Sequence, residues 1–267
     1  MIDSHCHLQL LFSKVPRDLV LSRARSIGIS AIITCACSVS DWTNSSDLTT
    51  TPQIFQQYGI HPWWAKEERP ADYIETLRSI LLSNPRSGVG EIGIDKNKKS
   101  TIPLDIQIDT FLPQLRLAQE LDRPTTIHCV NAYGLLVDLL KDNVYSSKPI
   151  EQRPPIVIHS FSGSGEVVEQ LVKLFPSQIF FSVSGQCPRD SVIPFIPHDK
   201  LLIETDSPDQ PMTNLSSEGV PEPIDPKIND PSQLMHVATR VATAIGKDVD
   251  YVIEVTTRNA RRAFKLD

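Results

Sequence analysis

The chain has 267 residues, 40% of them hydrophobic and 22% charged, with a formal net charge of −6. That length fits one (β/α)8 barrel with a large core, while the negative balance excludes a basic footprint for tight nucleic-acid capture. Five cysteines without CxxC spacing exclude a disulfide framework, and no apolar run approaches the roughly 20 residues of a membrane helix. The amino terminus also lacks a basic segment followed by an apolar core. The expected compartment is therefore the cytoplasm, with the nucleus also open, and neither a membrane nor an obligatory protein partner is expected.

In chain order, residues 2–8 read as a first strand. Residues 16–27 carry Leu19, Val20, Ala24 and Ile27 at helical spacing before Gly28. A second strand is expected at 29–35, followed by a polar stretch with little periodicity. A third strand at 54–60 precedes a helix at 73–82, and a fourth at 89–94 precedes a long amphipathic helix at 105–121. Strand five (125–129) leads to a helix at 132–140, and strand six (156–159) to a helix at 165–175. Strands seven (179–183) and eight (201–204) follow, and two helices, 232–245 and 248–264, close the chain. Such alternation implies parallel strands joined by right-handed crossovers. Eight strands would close the sheet into a single (β/α)8 TIM barrel over residues 1–267. The connection 207–231 holds six prolines and one glycine, too long for an idle loop in a compact domain. It leaves the C-terminal end of strand eight, either as a wall of a cleft or as a surface excursion.

Six polar residues stand in or just after these apolar strands: His5, His7, Glu91, His128, His159 and Asp206. Apolar runs that each end in a metal-type donor imply strand ends converging on one centre at the mouth of a barrel. Side chains two apart on a strand share a face, so His5 and His7 can grip one ion. Asp3 would lie one layer deeper, able to orient one ring through its second nitrogen. Alternation turns Cys6 and Cys129 to the opposite face as buried thiols. Glu91 sits between Gly90 and Gly93, and a buried, unpaired carboxylate is costly. A bridged pair of metal ions would neutralise it, with the glycines leaving room for something bulky; a buried ion pair with lysine or arginine is the alternative. Glu204 shares Asp206's face one layer down, as a site group or as a structural carboxylate.

These segments resemble the TatD-type metal-dependent deoxyribonucleases, a branch of the amidohydrolase-like barrels. The resemblance rests on Asp3-Ser-His5-Cys-His7, Gly59-Ile-His61-Pro62, Gly90-Glu91-Ile-Gly93-Ile-Asp95 and Ile127-His128. It continues through His159-Ser-Phe161-Ser162-Gly163 and Glu204-Thr-Asp206-Ser-Pro208 to Arg258-Asn259-Ala260 near the end of the chain. Two departures bear on substrate. Lys96 follows Asp95 where an aromatic is common, and Val130 stands where many members carry an arginine suited to phosphate. Lys96, Lys98 and Lys99 are candidates to restore that positive charge, or simply a solvated loop.

The resemblance implies two divalent ions (Mg2+, Mn2+ or Zn2+), one held by His5, His7, Glu91 and Asp206, the other by Glu91, His128 and His159. It implies hydrolysis of DNA phosphodiesters, exonucleolytic at single-strand ends, with Glu91 and Asp206 catalytic and Asp206 the general base. His61 would donate to a substrate phosphate or stabilise its own loop. The rival readings are an amidohydrolase or esterase acting on C–N or ester bonds of a small molecule, and a catalytically silent barrel acting in a complex. The amidohydrolase pattern commonly bridges its metals with a carboxylated lysine on strand four, so Glu91 favours the nuclease branch.

Overall fold

The computed structural model describes residues 1–43, 51–67, 69–144, 149, 153–212 and 220–267. Eight strands lie in sequence order in one sheet, and each neighbouring pair is parallel. They are β1 (Ile2–Cys6), β2 (Ala31–Cys35), β3 (Gln53–Tyr58), β4 (Gly88–Asp95), β5 (Thr125–Val130), β6 (Ile156–Ile158), β7 (Ile179–Val183) and β8 (Leu201–Ile203). The expected barrel is present, and helices alternate with the strands through most of it. After a short α1 (Leu8–Phe12), these are α2 (Arg17–Ser26), α3 (Tyr73–Ser83), α4 (Leu104–Glu120), α5 (Tyr133–Val144), α6 (Gly165–Leu174), α7 (Leu234–Ile245) and α8 (Val249–Phe264). α7 shows why the pattern holds. Leu234, Val237, Ala238, Val241 and Ala242 form one buried stripe at helical spacing, and Gly246 ends the helix in the left-handed conformation (φ 64°) that glycine adopts freely.

Three details complete the pattern, the first of them a departure from the expected boundary. The first strand ends at Cys6, and a five-residue helix begins at Leu8. Among the described residues, the β2–β3 and β7–β8 connections carry 3-10 turns rather than α-helices. The long connection after strand eight falls partly outside the described residues; of its described part, Asp209 and Gln210 line the cleft at the barrel mouth.

Two cores flank the sheet. The larger, outer one holds Cys6 and Cys129 with the helix faces, as strand alternation requires. The smaller one collects Ile33, Phe55, Val157, Phe180 and Leu202 against Ala260, Ala263 and Phe264 of α8. On β6 and β8, Val157 and Leu202 lie two residues before His159 and Glu204. The period of two thus carries each strand from an apolar floor to a polar mouth.

The seam between β1 and β8 is closed at that mouth. Asp206 N donates to His5 O (3.0 Å) and His7 N to Ser207 O (2.6 Å). Beside them the buried Asp3 carboxylate accepts from Thr205 N (2.9 Å) and Thr205 Oγ1 (2.6 Å). Burial raises the Asp3 pKa to about 7, with the Thr205 hydrogen bonds acting against that rise. Asp3 therefore fixes the end of strand eight, and no hydrogen bond joins it to an imidazole among the described residues. This corrects the expected ring-orienting role, because both carboxylate oxygens are engaged by Thr205. Replacing Asp3 with Ala should orphan both Thr205 donors and lower the unfolding free energy by about 3 kcal/mol. A denaturant midpoint that shifts at unchanged m-value would show it.

Candidate metal centre and cleft

The sequence scatters the six candidate donors over five segments, and the barrel brings them to one point. Glu91 lies in β4 with its two oxygens turned to different partners. Oε2 is 3.4 Å from His5 Nε2 and 3.3 Å from His7 Nε2. Those two nitrogens are 3.3 Å apart and lie 3.4 and 3.5 Å from Asp206 Oδ1. Donors held tetrahedrally about 2.05 Å from one ion are about 3.3 Å from each other, so this group has the spacing of a coordination shell. Oε1 faces a second group, with His159 Nε2 at 2.7 Å and His128 Nδ1 at 2.9 Å, themselves 3.2 Å apart. His61 Nε2 joins it at 3.3 Å. The two groupings implied by the resemblance are both present in space, and His61 adds a donor to the second.

The donors fit a cation better than they fit each other. Glu91 Oε1 has no hydrogen-bond partner although three ring nitrogens surround it. A buried acceptor without a donor is a costly arrangement, and a shared positive ion would relieve it. His7 Nδ1 donates to Cys35 O at 2.9 Å, which leaves the Nε2 lone pair facing the centre. Asp95 Oδ2 lies 3.5 Å behind His128 Nε2, and Glu204 Oε1 lies 3.4 Å behind His159 Nδ1.

Charge follows the same logic. Burial opposes the Glu91 charge, but the neighbouring imidazoles, His159 first, outweigh it and hold its pKa well below the usual range. Burial likewise opposes ionisation of Asp206, and the side chains of His5 and His7 outweigh it. Burial alone dominates at His61, pushing it down to about 4 and leaving the ring neutral. At His159 burial disfavours the proton, yet the Glu91 carboxylate raises its pKa to about 9.

Glycines next to Glu91 were expected to leave space for a ligand; the neighbouring strands take that space instead. A Cβ on Gly93 (φ 148°) would stand 2.0 Å from His128 O, and one on Gly90 2.6 Å from Gln57 Oε1. The glycines let β3, β4 and β5 approach closely enough to bring Glu91 and His128 together. Glu204 is buried, and its Oε1 accepts from Ser160 N at 2.6 Å, so its carboxylate holds the turn after His159.

Several contributors carry no motif. Gln210 Nε2 donates to Asp206 Oδ2 (2.5 Å) and to Ser160 Oγ (2.6 Å), which fixes the rotation of the Asp206 carboxylate. On α4, Gln107 binds Asp95 N and O, while Gln114 binds Ile60 N and O. These two side chains act as pairing partners for the loops bearing Asp95 and His61. Their sequence signal is a polar residue repeated seven positions apart, which is two turns, on the apolar face of the helix. Asn131, Ser160, Asp206 and Gln210 all adopt left-handed backbone at the cleft (φ 52°, 41°, 57° and 51°), a strained conformation that clusters at functional sites.

A cleft of about 550 Å³ opens above the centre. His7, His61, Glu91, His128, His159 and Asp206 line it, together with Val130. Lys96, Lys98 and Lys99 do not. They sit on the short turn after β4, where Lys96 and Lys99 are exposed and Lys98 Nζ lies 4.2 Å over the Trp63 ring. The turn after Asp95 carries these residues to the rim of the cleft, where Lys98 lies against the Trp63 indole that lines it.

Fold and donor set together define a barrel hydrolase of the metal-dependent class. A family model described as TatD related DNase matches residues 2–265, and the chain belongs to that family. A "3'-5' ssDNA/RNA exonuclease TatD" from Erwinia amylovora is 31% identical over 257 residues, 94% of each chain. The protein of the same name from Salmonella typhimurium is 27% identical, with 94% of this chain and 93% of that one covered. Among solved structures, a TatD homologue from Escherichia coli K12 superposes with a TM-score of 0.80 at 24% identity, covering 100% of this chain and 98% of that one. A TatD family hydrolase from Entamoeba histolytica gives 0.82 at 20% identity, with coverages of 98% and 97%.

A divalent ion at 100 times its dissociation constant should stabilise the protein by about 2.7 kcal/mol. That corresponds to a rise in Tm of about 5–10 °C for a chain of this size. Glu91→Gln should remove most of the rise while the chain still melts cooperatively, as a thermal scan with and without chelator would show.

Proposed function

We propose that the protein is a two-metal phosphodiesterase that removes nucleotides from the ends of single-stranded DNA. In this reading His5, His7, Glu91 and Asp206 hold one divalent ion, and Glu91, His128 and His159 hold the other. The observation that carries it is the division of Glu91, one oxygen facing each donor group, 3.3–3.4 Å and 2.7–2.9 Å from their imidazoles. When bound, such ions polarise the phosphoryl oxygen and make water more acidic. The chain's own residues do the rest. Asp206, held in rotation by Gln210, takes the proton of the attacking water without rearranging. The neutral His61 accepts from Trp63 N at Nδ1, so its Nε2–H, beside Glu91 Oε1, is free to steady a phosphate oxygen. The Asp95 and Glu204 carboxylates keep the His128 and His159 rings turned inward.

Names of the relatives support both DNA and RNA as substrates for those proteins. The choice of metal follows the donors: imidazoles favour zinc, carboxylates and phosphate favour magnesium or manganese. No helix among the described residues is long and apolar enough to cross a membrane, and a nucleic-acid substrate suits the cytoplasmic or nuclear compartment expected from the sequence. A β-aspartyl dipeptidase shares the barrel at a TM-score of 0.59 and 16% identity, a likeness of fold alone. The strand-four carboxylate is the feature that favours phosphodiester over C–N chemistry.

Two measurements test this reading. Purified protein given Mg2+, Mn2+ or Zn2+ should shorten a single-stranded oligonucleotide from its end, and inactivity with all three would sink it. Asp206→Asn should lower turnover by about 10²-fold or more while retaining metal at reduced affinity. Loss of metal and rate in equal measure would leave Asp206 as a ligand only.

A further inference from the structure

We infer that Trp63 and Trp64 form a stacking subsite for a nucleobase of the strand being cleaved. This rests on the nuclease reading above and concerns how that substrate is held. Among the described residues the cleft lining contains neither lysine nor arginine. Lys98, at the rim, lies over the Trp63 ring, so the walls themselves are poor in cations for the backbone. What they offer is aromatic and apolar, with Trp63, Trp64, Leu10 and Val130 prominent.

The three tryptophans of the chain are treated differently. Trp42 is buried, its Nε1 donating to Gly59 O at 3.1 Å. Trp63 and Trp64 are 46% and 40% exposed at the cleft. Scattered exposed apolar residues need no explanation, but adjacent indoles beside a catalytic cleft do. They are also held ready. Pro62 opens their 3-10 turn, and His61 caps it by accepting from Trp63 N at 3.2 Å. Trp63 Nε1 donates to Asp95 Oδ2 at 2.6 Å, and Lys98 covers its ring at 4.2 Å. No hydrogen bond holds the Trp64 indole among the described residues, which leaves it the freer ring of the two.

Position completes the argument. The Trp63 centroid is 5.2 Å from that of His61 and 6.3 Å from that of His128, so the aromatic wall begins beside the candidate centre. A base next to the cleaved phosphate meets this wall directly. Every base has a π-face, so stacking serves an enzyme that must accept any sequence, and it needs no positive charge from the protein.

The test uses Trp64→Ala and Trp64→Phe, because Trp63 also holds Asp95. Two substrates are compared: a single-stranded oligonucleotide, and one of equal length whose three terminal residues lack bases. Binding is followed separately by quenching of indole fluorescence in chelator-treated protein. Trp64→Ala should raise KM for the normal strand about 5- to 100-fold with kcat little changed, and Trp64→Phe should recover most of the loss. KM for the strand with baseless ends should already be high and should not respond to either variant. Equal effects on both substrates, or none, would overturn the subsite. Base-dependent quenching without hydrolysis by the wild type would uphold the subsite and remove the nuclease reading. Hydrolysis without base-dependent quenching would do the reverse.

Discussion

A carboxylate charge at the centre of a barrel constrains everything around it. Glu91 is 1% exposed, and among the described residues its ion-pairing neighbours are all imidazoles: His5, His7, His61, His128 and His159. Withdrawing such a charge from water costs several kcal/mol, and neutral rings repay little of that. The cluster is therefore stable only if protons or cations enter it. Five of the chain's seven histidines gather here, so the sequence concentrates its best metal donors where the cost of burial is greatest. The glycines on β4 belong to the same constraint, since β5 must approach closely for His128 to reach Oε1.

Closure of the barrel and assembly of the site are one event. The bonds that join strand eight to strand one run from Asp206 N to His5 O and from His7 N to Ser207 O. The backbones that carry three candidate ligands are the backbones that seal the seam. Asp3, two residues below His5, holds Thr205 by both its amide and its hydroxyl. Left-handed backbone at Asp206 and Gln210 is strain that these contacts sustain. Loosening the seam would therefore spread the donors before it exposed the core.

Much of this was legible in the sequence. Alternating apolar runs gave the strands within one or two residues for most elements, because period-two burial and strand-end donors are local signals. The six candidate ligands were legible for the same reason: each stands in or just after an apolar run. What escaped depends on distant partners. Asp3 meets Thr205 across about 200 positions, and nothing near residue 3 announces it. Gln107 and Gln114 look like ordinary polar positions on an amphipathic helix until the loops they bind are in place. Gln210 lies in a proline-rich connection without periodicity, where local pattern carries no information about direction. The three lysines are a different case. The three lysines were correctly placed after strand four, but a turn capped by Asp95, which accepts from Asn97 N, carries them past the mouth to the rim.

That displacement bears on how an acidic chain can act on a polyanion. A net charge of −6 repels nucleic acid at long range, and the cleft walls do not reverse the sign. Phosphate-tracking proteins gain affinity from many released counterions and lose it steeply with salt. Here the positive potential is confined to the donor cluster, and its range is cut to about 8 Å by physiological salt. In the proposed reading, a frayed single-stranded end would bring one phosphate to the donor cluster and leave its bases free to meet the indoles. That reading would favour strand ends over duplex interiors for an electrostatic reason, and Val130 adds no charge to the cleft wall. Weak capture then leaves the chemistry at the centre intact while restricting which nucleic acid can reach it.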